Sequence, residues 1–291
     1  MHAQLKAALF GSIPMTRVKL FIARGLYLLL HTLLNKDNLL IRRKGVFYQV
    51  DLSEGIDLSL FLFGNFQDYV VNQKYVRLAD DAVIFDAGAN IGSMAFRFAE
   101  QAPRGHVYAF EPTDFAYGKL LNNLALNPHL AKRITPVQLF LSDRTKSDHE
   151  IQAYASWKVD GSALNTHPLH GGAIKSAPSV PAVTLDDYCL TNRIQRVDLI
   201  KIDTDGHEFN ILRGARRIVE KHRPYIIFEI GLYELKEHDI EFEQIYKYFT
   251  GYDYDLLNAK NGRQVTLENF SDQIPKRSTT DIVAVPLKQP G

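Results

Sequence analysis

The chain has 291 residues, 46% hydrophobic and 23% charged, which suits one large domain or two modest ones with a buried core and excludes fibrous, repeat and wholly disordered chains. Lys+Arg 34 against Asp+Glu 33 leaves a net charge of +1, so no global electrostatic case exists for a nucleic-acid binder. The single cysteine, Cys189, closes no internal disulfide and builds no zinc site by itself, which makes a reducing, cytoplasmic setting the default.

That neutral sum hides a basic beginning. Residues 1–48 hold Lys6, Arg17, Lys19, Arg24, Lys36, Arg42, Arg43 and Lys44 against Asp37 alone. The apolar run from Leu20 to Leu34 is fifteen residues, broken by Arg24 and His31, and about 20 are needed to span a bilayer. A membrane span is not expected, and neither is a cleaved signal peptide, because no small-residue cleavage pattern precedes Lys36-Asp37. Arg17, Arg24 and His31 recur every seven residues and give a helix with a narrow polar stripe and wide apolar flanks. Such a helix packs on its own domain, on a sister subunit in a homodimer, or on the inner face of an anionic membrane as a peripheral contact. Residues 1–44 read as this basic helical extension, and residues 45–81 as a lead-in subdomain of hairpin and helix: Val46 to Leu52 alternates like a half-exposed strand, and a helical stretch follows around Phe66 to Leu78.

From residue 82 to 291 short apolar runs alternate with amphipathic segments, the rhythm of an α/β sheet. Ala82–Phe85, His106–Phe110, Val137–Leu141, Val197–Ile202 and Tyr225–Phe228 are five expected parallel strands. Tyr252–Leu257 and Ile282–Val285, with Asn261-Gly262 between them, add an antiparallel pair at one edge and make seven. A loop inserted at 150–181, rich in Gly, Pro, Ser and His from Gly161 onward, interrupts the rhythm and is expected near the substrate.

Ligands in such sheets bind beyond the carboxyl ends of the strands. At the first end, Phe85-Asp86-Ala87-Gly88-Ala89-Asn90-Ile91-Gly92 runs into a helix starting near Ser93; Gly88 and Gly92 let the backbone turn and approach a ligand. Asn90 stands where a dinucleotide fingerprint requires glycine, and Asp86 would repel a pyrophosphate. Asp86 suits instead a ligand with an ammonium group, such as the methionine end of S-adenosyl-L-methionine. Glu111, ending the next strand, suits ribose hydroxyls, and Ser142-Asp143 an adenine amino group; a plain turn serves equally for the latter.

The most informative run is Asp203-Thr204-Asp205-Gly206-His207-Glu208. An alcohol is a poor nucleophile while it keeps its proton, and His207 or Asp205 would accept it near neutral pH, with Asp203 facing the methyl position. Glu208 would equally favour the next helix's N-terminus, and Asp205-Gly206 would equally be a turn. Asp203, Asp205 and Glu208 also offer oxygen ligands to a divalent cation, but their spacing lacks a calcium-loop pattern, and no metal is assigned. Glu229, ending the fifth strand, contacts substrate, orients a neighbour or forms a structural salt bridge. Tyr154, Trp157 and Tyr233 lie beside the expected substrate loops, where aromatics more often pack than bind sugar faces; His167 and His170 read as solvated loop residues, and Cys189 as a buried packing thiol.

Together with Asn127, Leu141-Ser142-Asp143, Thr184-Leu185-Asp186 and Ile200-Lys201-Ile202-Asp203, these motifs make residues 45–286 resemble the FkbM-type family of S-adenosylmethionine-dependent methyltransferases. The resemblance implies a class I methyltransferase (Rossmann-like) three-layer sandwich with a seven-stranded, mostly parallel sheet and an antiparallel edge strand. It also implies Asp86, Gly88, Asn90, Ile91, Gly92 and Glu111 at the cofactor's methionine and ribose ends, and Ser142 and Asp143 at its adenine. By the same likeness a methyl group passes to a hydroxyl of a sugar, polyketide or lipid-linked acceptor, with Asp203, Asp205, His207, Glu208 and Glu229 as the catalytic candidates. Many relatives have Glu at the position of Asp205, a longer arm. Two competing readings are a nicotinamide-dependent oxidoreductase, which Asp86 and Asn90 oppose, and a catalytically silent binding module held at a membrane by the basic helix.

Overall fold

The computed structural model describes residues 17–64, 67–146, 151–155, 173–177, 180–276 and 278–287. The insertion at 150–181 lies outside the described residues except for strands Ile151–Ala155 and Ala173–Ala177 and residues 180–181; Trp157, His167, His170 and the side chain of Tyr154 are likewise outside them. Two compact units emerge, residues 1–66 with 154–174, and residues 67–153 with 175–291.

In the first unit, helix α1 (Arg17–Leu34) precedes a hairpin of β1 (Asn38–Arg43) and β2 (Val46–Asp51), then helix α2 (Gly55–Phe63). Arg43 faces Val46 across a two-residue loop, Lys44-Gly45, with both φ values positive at 48° and 87°; this is the turn whose twist matches paired strands. Val46, Tyr48 and Val50 are buried on one face, the alternation expected of a half-exposed strand. Arg43 ties the hairpin to the end of α2 by donating to the carbonyls of Leu60 and Phe61. On α1, Leu28, Leu29 and Leu33 are each more than half exposed. No helix among the described residues is long and apolar enough to cross a membrane.

The second unit opens with a short helix, α3 (Asp68–Val71), where a longer one was expected over Phe66–Leu78. Asn72 closes its last turn, its backbone and side-chain amides both donating to the carbonyl of Asp68, and leaves helical geometry at ψ 44°. The chain then builds β3 (Val83–Ala87), α4 (Ser93–Gln101), β4 (His106–Phe110), α5 (Asp114–Leu126), α6 (Pro128–Ala131), β5 (Ile134–Val137) and β6 (Phe140–Leu141). Strands β7 (Ile151–Ala155), β8 (Ala173–Ala177) and β9 (Ala182–Val183) follow, then α7 (Leu185–Thr191), β10 (Leu199–Ile202), α8 (Glu208–Arg213), α9 (Arg216–His222) and β11 (Tyr225–Ile230). The last elements are α10 (Leu232–Glu237), α11 (Phe242–Gly251), β12 (Tyr254–Asn258), α12 (Phe270–Gln273) and β13 (Thr280–Pro286).

Seven strands form one sheet in the order β12-β13-β11-β10-β3-β4-β5, the class I methyltransferase arrangement. β13 runs against both neighbours and lies one place in from the edge. The Asn261-Gly262 turn does not join β12 to β13 directly: it folds Gln264 and Val265 back onto β12, and α12 intervenes. The third parallel strand is also displaced from the expected Val137–Leu141. It is Ile134–Val137, with Pro136 tolerated because β5 is an edge strand, while Phe140-Leu141 pairs separately with Ala182-Val183.

Burial on both faces explains the apolar texture of β3 and β10, broken only by Asp86 and Lys201, which face each other. Phe85, Phe110 and Tyr188 meet edge-on at centroid separations of 4.9–6.2 Å, and Cys189 lies in the same core. Burial pushes its thiol up to about 12, which leaves it inert near neutrality. Helices α5 and α7 start on Thr113 and Thr184, whose hydroxyls accept from the amides of Ala116 and Asp187.

Candidate active site

The carboxyl ends of β3, β4, β10 and β11 carry the ionisable residues read from the sequence. Asp86 sits inside β3 with no exposed surface. Register places it beside Lys201 of β10, whose ammonium lies 3.3 Å from Asp86 Oδ1 and 3.6 Å from Asp203 Oδ2. The same ammonium donates to the carbonyls of Gly88 at 3.1 Å and Ala87 at 3.4 Å. Neither Asp86 oxygen has an aligned hydrogen bond. Burial pushes the Asp86 carboxyl up, with Lys201 opposing. Burial alone would lower Lys201, but Asp86 and Asp203 outweigh it and hold the ammonium above its usual range.

Beyond Asp86 the backbone turns through Gly88 at φ 76°, Asn90 at φ 50° and Gly92 at φ 89°. A Cβ on Gly88 would stand 1.9 Å from the carbonyl oxygen of Asp203, so only glycine lets this turn pack on the end of β10. The turn is pinned to β4: Gly88 and Ala89 amides donate to the carbonyl of Phe110 at 3.0 and 2.9 Å, and Asn90 N to Glu111 Oε2 at 3.0 Å. Asn90 Oδ1 accepts from Ile91 N. Glu111 Oε1 takes both the amide and the hydroxyl of Thr113. A carboxylate oxygen has two lone pairs, so Oε2 retains one acceptor position.

Ser142 follows β6, and Asp143 pairs at 3.0 Å with Arg213, the guanidinium of which lies over the Phe209 ring. At the end of β10, Asp203 is partly exposed, with 22% of its side chain accessible, and its amide donates to the carbonyl of Ala87. Asp205 adopts φ 52°; burial, then Asp203 and Glu208, push its carboxyl up to about 8. Glu208 is buried at the first turn of α8, accepts from the amide and hydroxyl of Thr204, and is raised to about 7 by burial. His207 packs between the rings of Phe140 at 5.1 Å and His238 at 5.4 Å; burial and His238 lower it to about 4, so its imidazole is neutral at pH 7.

Glu229 lies farther along, register-paired with Asp281 of β13 and accepting from the Thr279 hydroxyl. Burial and the nearby Asp203 raise it. Tyr69 donates to Asp281. Glu208, Glu229 and Glu234 line one pocket with Phe209, Phe228 and Leu235, and burial pushes Glu234 up to about 9. Tyr233 donates to Glu234 at 2.8 Å, an internal bond rather than an open face. The structure thus gathers Asp86, Glu111, Asp203, Asp205 and Glu208 around two adjoining turns, and sets Asp143 beside Arg213 and Glu229 beside Asp281. Lys201 was given no role in the sequence reading beyond its place in the Ile200–Asp203 motif, although a lone lysine inside the apolar run Leu199–Ile202 was its signal: a buried ammonium requires a partner. Asp281 and Glu234 escaped too, lying outside any motif. Among the described residues no group of His, Cys, Asp and Glu has an arrangement for holding a metal ion.

A family model described as the methyltransferase FkbM domain matches residues 86–256, more than half of the chain. The chain belongs to the FkbM methyltransferase family. Its cofactor is therefore S-adenosyl-L-methionine. Among curated relatives of this FkbM chain, the 2-O-methyltransferase NoeI of Sinorhizobium fredii is 26% identical over 181 residues, covering 57% of this chain and 71% of NoeI. The hexuronic acid methyltransferase AglP of Haloferax volcanii is 23% identical over 151 residues, 52% of this chain and 56% of AglP. The crystal structure of methyltransferase FkbM from Methylobacillus flagellatus aligns at 19% identity with a TM-score of 0.46, covering 72% of this chain and 44% of that one. The chain thus spans little more than half of AglP and less than half of the crystallised FkbM protein.

Proposed function

We propose that this protein transfers a methyl group from S-adenosyl-L-methionine to a hydroxyl of a sugar or glycan acceptor. The observation that carries the reading is the turn after β3: a tight Gly88–Gly92 backbone packed on the end of β10, edged by carboxylates, with an acceptor position left on Glu111 Oε2. That donor set fits a ligand with ammonium, sulfonium and ribose hydroxyl groups, and it does not fit a pyrophosphate. Glu111 Oε2 would hold a ribose hydroxyl, Ser142 and Asp143 the adenine edge, and the Gly88 to Gly92 turn the methionine end. Bound there, S-adenosyl-L-methionine supplies a methyl group already activated by its sulfonium charge.

The protein's own work is alignment and removal of one proton. Asp205, at about 8, is matched to accept an acceptor hydroxyl's proton near neutral pH, better than His207 at about 4. His207 presents a neutral ring wall beside Phe140. Glu208, held by Thr204, fixes the loop that carries Asp205. Glu229, tied to Thr279, shapes the neighbouring pocket. Kinship with a 2-O-methyltransferase, NoeI, and a hexuronic acid methyltransferase, AglP, favours oxygen on a sugar over a polyketide.

Incubation with methyl-labelled donor and a panel of uronic acids and oligosaccharides tests this, read by mass spectrometry and linkage analysis. A gain of one methylene on oxygen with release of S-adenosylhomocysteine is expected, and Asp205→Asn should lower kcat about 10²-fold or more. Methyl on nitrogen or carbon, or tight donor binding without turnover on any hydroxyl, would overturn it. For the amino-terminal helix, exposed Leu28, Leu29 and Leu33, with exposed Arg24 on the same helix and exposed Lys36 and Arg42 following it in the chain, favour an anionic membrane surface. Co-sedimentation with phosphatidylserine vesicles should then weaken as salt rises; salt-independent self-association without vesicle binding would assign the face to a second copy.

A further inference from the structure

Lys201 lies within the Ile200–Asp203 motif and the matched region, but nothing in either gives its side chain a role. Register sets it directly across from Asp86, and the pair closes on itself: Asp86 has no exposed surface, and both its oxygens are shielded. A second ammonium brought onto Asp86 would meet Lys201 3.3 Å from the same carboxylate, a like-charge contact that the burial of both groups leaves poorly screened. Asp203 differs on every count. Its side chain is partly exposed, its distance to Lys201 is the longer 3.6 Å, and its backbone forms the wall against which the Gly88 turn packs.

We propose that Lys201 is a positioning residue for the methyl donor: it is the standing counter-ion of Asp86, it clamps the carbonyls of Ala87 and Gly88, and it thereby leaves Asp203 as the carboxylate that receives the donor's ammonium. This rests on the donor assigned above and sharpens one contact within it. The ammonium of Lys201 donates to the two carbonyls of the turn and is paired by charge with Asp86. The clamp fixes the glycine turn and the adjoining acid in one geometry, so the donor finds its carboxylate already placed.

Calorimetry on the full chain separates the two acids. The ligands are S-adenosylhomocysteine and its analogue with hydrogen in place of the α-amino group, so the ratio of their affinities reports the ammonium contact alone. In the unsubstituted protein a ratio of about tenfold or more is expected for a charge-assisted hydrogen bond. Asp203→Asn should bring the ratio near one. Asp86→Asn should preserve it, and so should Asp86→Asn combined with Lys201→Met, which removes the buried pair together and guards against misfolding of a single variant. Lys201→Met alone should weaken S-adenosylhomocysteine about tenfold, with recovery in the double variant. A ratio that survives Asp203→Asn and collapses in the double variant would overturn the inference. Failure of the unsubstituted protein to bind S-adenosylhomocysteine at all would instead overturn the donor assignment.

Discussion

The turns that follow β3 and β10 use the same local grammar, an acid, a glycine at positive φ and then a helix, yet they differ in what surrounds them. At the first, Gly88 lies against backbone and Asp86 is sealed and matched by Lys201. At the second, Gly206 at φ 99° faces the imidazole of the exposed His238, and Asp203, Asp205 and Glu208 crowd together with Lys201 on one side only. The first is a rigid cradle. The second is charged and adjustable, which suits it to the proton transfer proposed above. Similar sequence at two strand ends therefore acquires different chemistry from the cross-strand neighbour that register supplies.

Alanine at the two glycines is the harshest way to break this comparison. In Gly88→Ala the new Cβ meets the Asp203 carbonyl at 1.9 Å. Neither side can retreat, because Gly88 N is bonded to Phe110 and Asp203 N to Ala87. A loss of about 3 kcal/mol or more is expected from the left-handed conformation and the clash, a fall in Tm of about 6–12 °C, with S-adenosylhomocysteine binding lost. In Gly206→Ala the nearest atom, 2.5 Å away, belongs to the His238 ring, which can swing into solvent; about 1–2 kcal/mol is expected. Equal losses in thermal melts of the two variants would show that both turns are held alike.

The fold was readable from residue 82 onward because parallel strands buried on both faces leave continuous apolar runs that composition alone reveals. Phe85–Gly92 and Asp203–Glu208 were readable for a related reason: glycine at positive φ and an acid at a strand end both carry a cost elsewhere. What escaped depends on register or on distance in the chain. Nothing local tells Lys201 that Asp86 is its neighbour 115 positions earlier, or Glu229 that Asp281 lies across from it. The third strand was misplaced because the eye follows Val137, Leu139 and Leu141, whereas an edge position tolerates Pro136 and moves the strand back to Ile134. The helix expected over Phe66–Leu78 fell short because the chain leaves helical geometry at Asn72, at ψ 44°, a change of direction that apolar periodicity does not encode.

A gentler test follows from the protons. Asp205, Glu208 and Glu234, raised to about 8, 7 and 9 from ordinary values of 3.8 and 4.5, bind protons more tightly folded than unfolded. Such carboxyls contribute stability that is present at low pH and lost as pH rises toward the folded value. His207, lowered from 6.5 to about 4, works oppositely but only below about 6.5. Between about pH 6.5 and 8 the carboxyls act alone, and the ligand-free Tm should fall by a few degrees. A cationic donor favours the ionised acids, so S-adenosyl-L-methionine should gain on S-adenosylhomocysteine over the same window. Binding near pH 7 should also release protons, seen as a dependence of the measured heat on the buffer's ionisation enthalpy. Asp205→Asn removes one of these groups and should flatten both slopes, while Asp143→Asn, away from the crowded turn, should leave them as they were. If the Asp143 variant flattened them equally, the adjustable character assigned to the β10 turn would belong to the whole crevice instead.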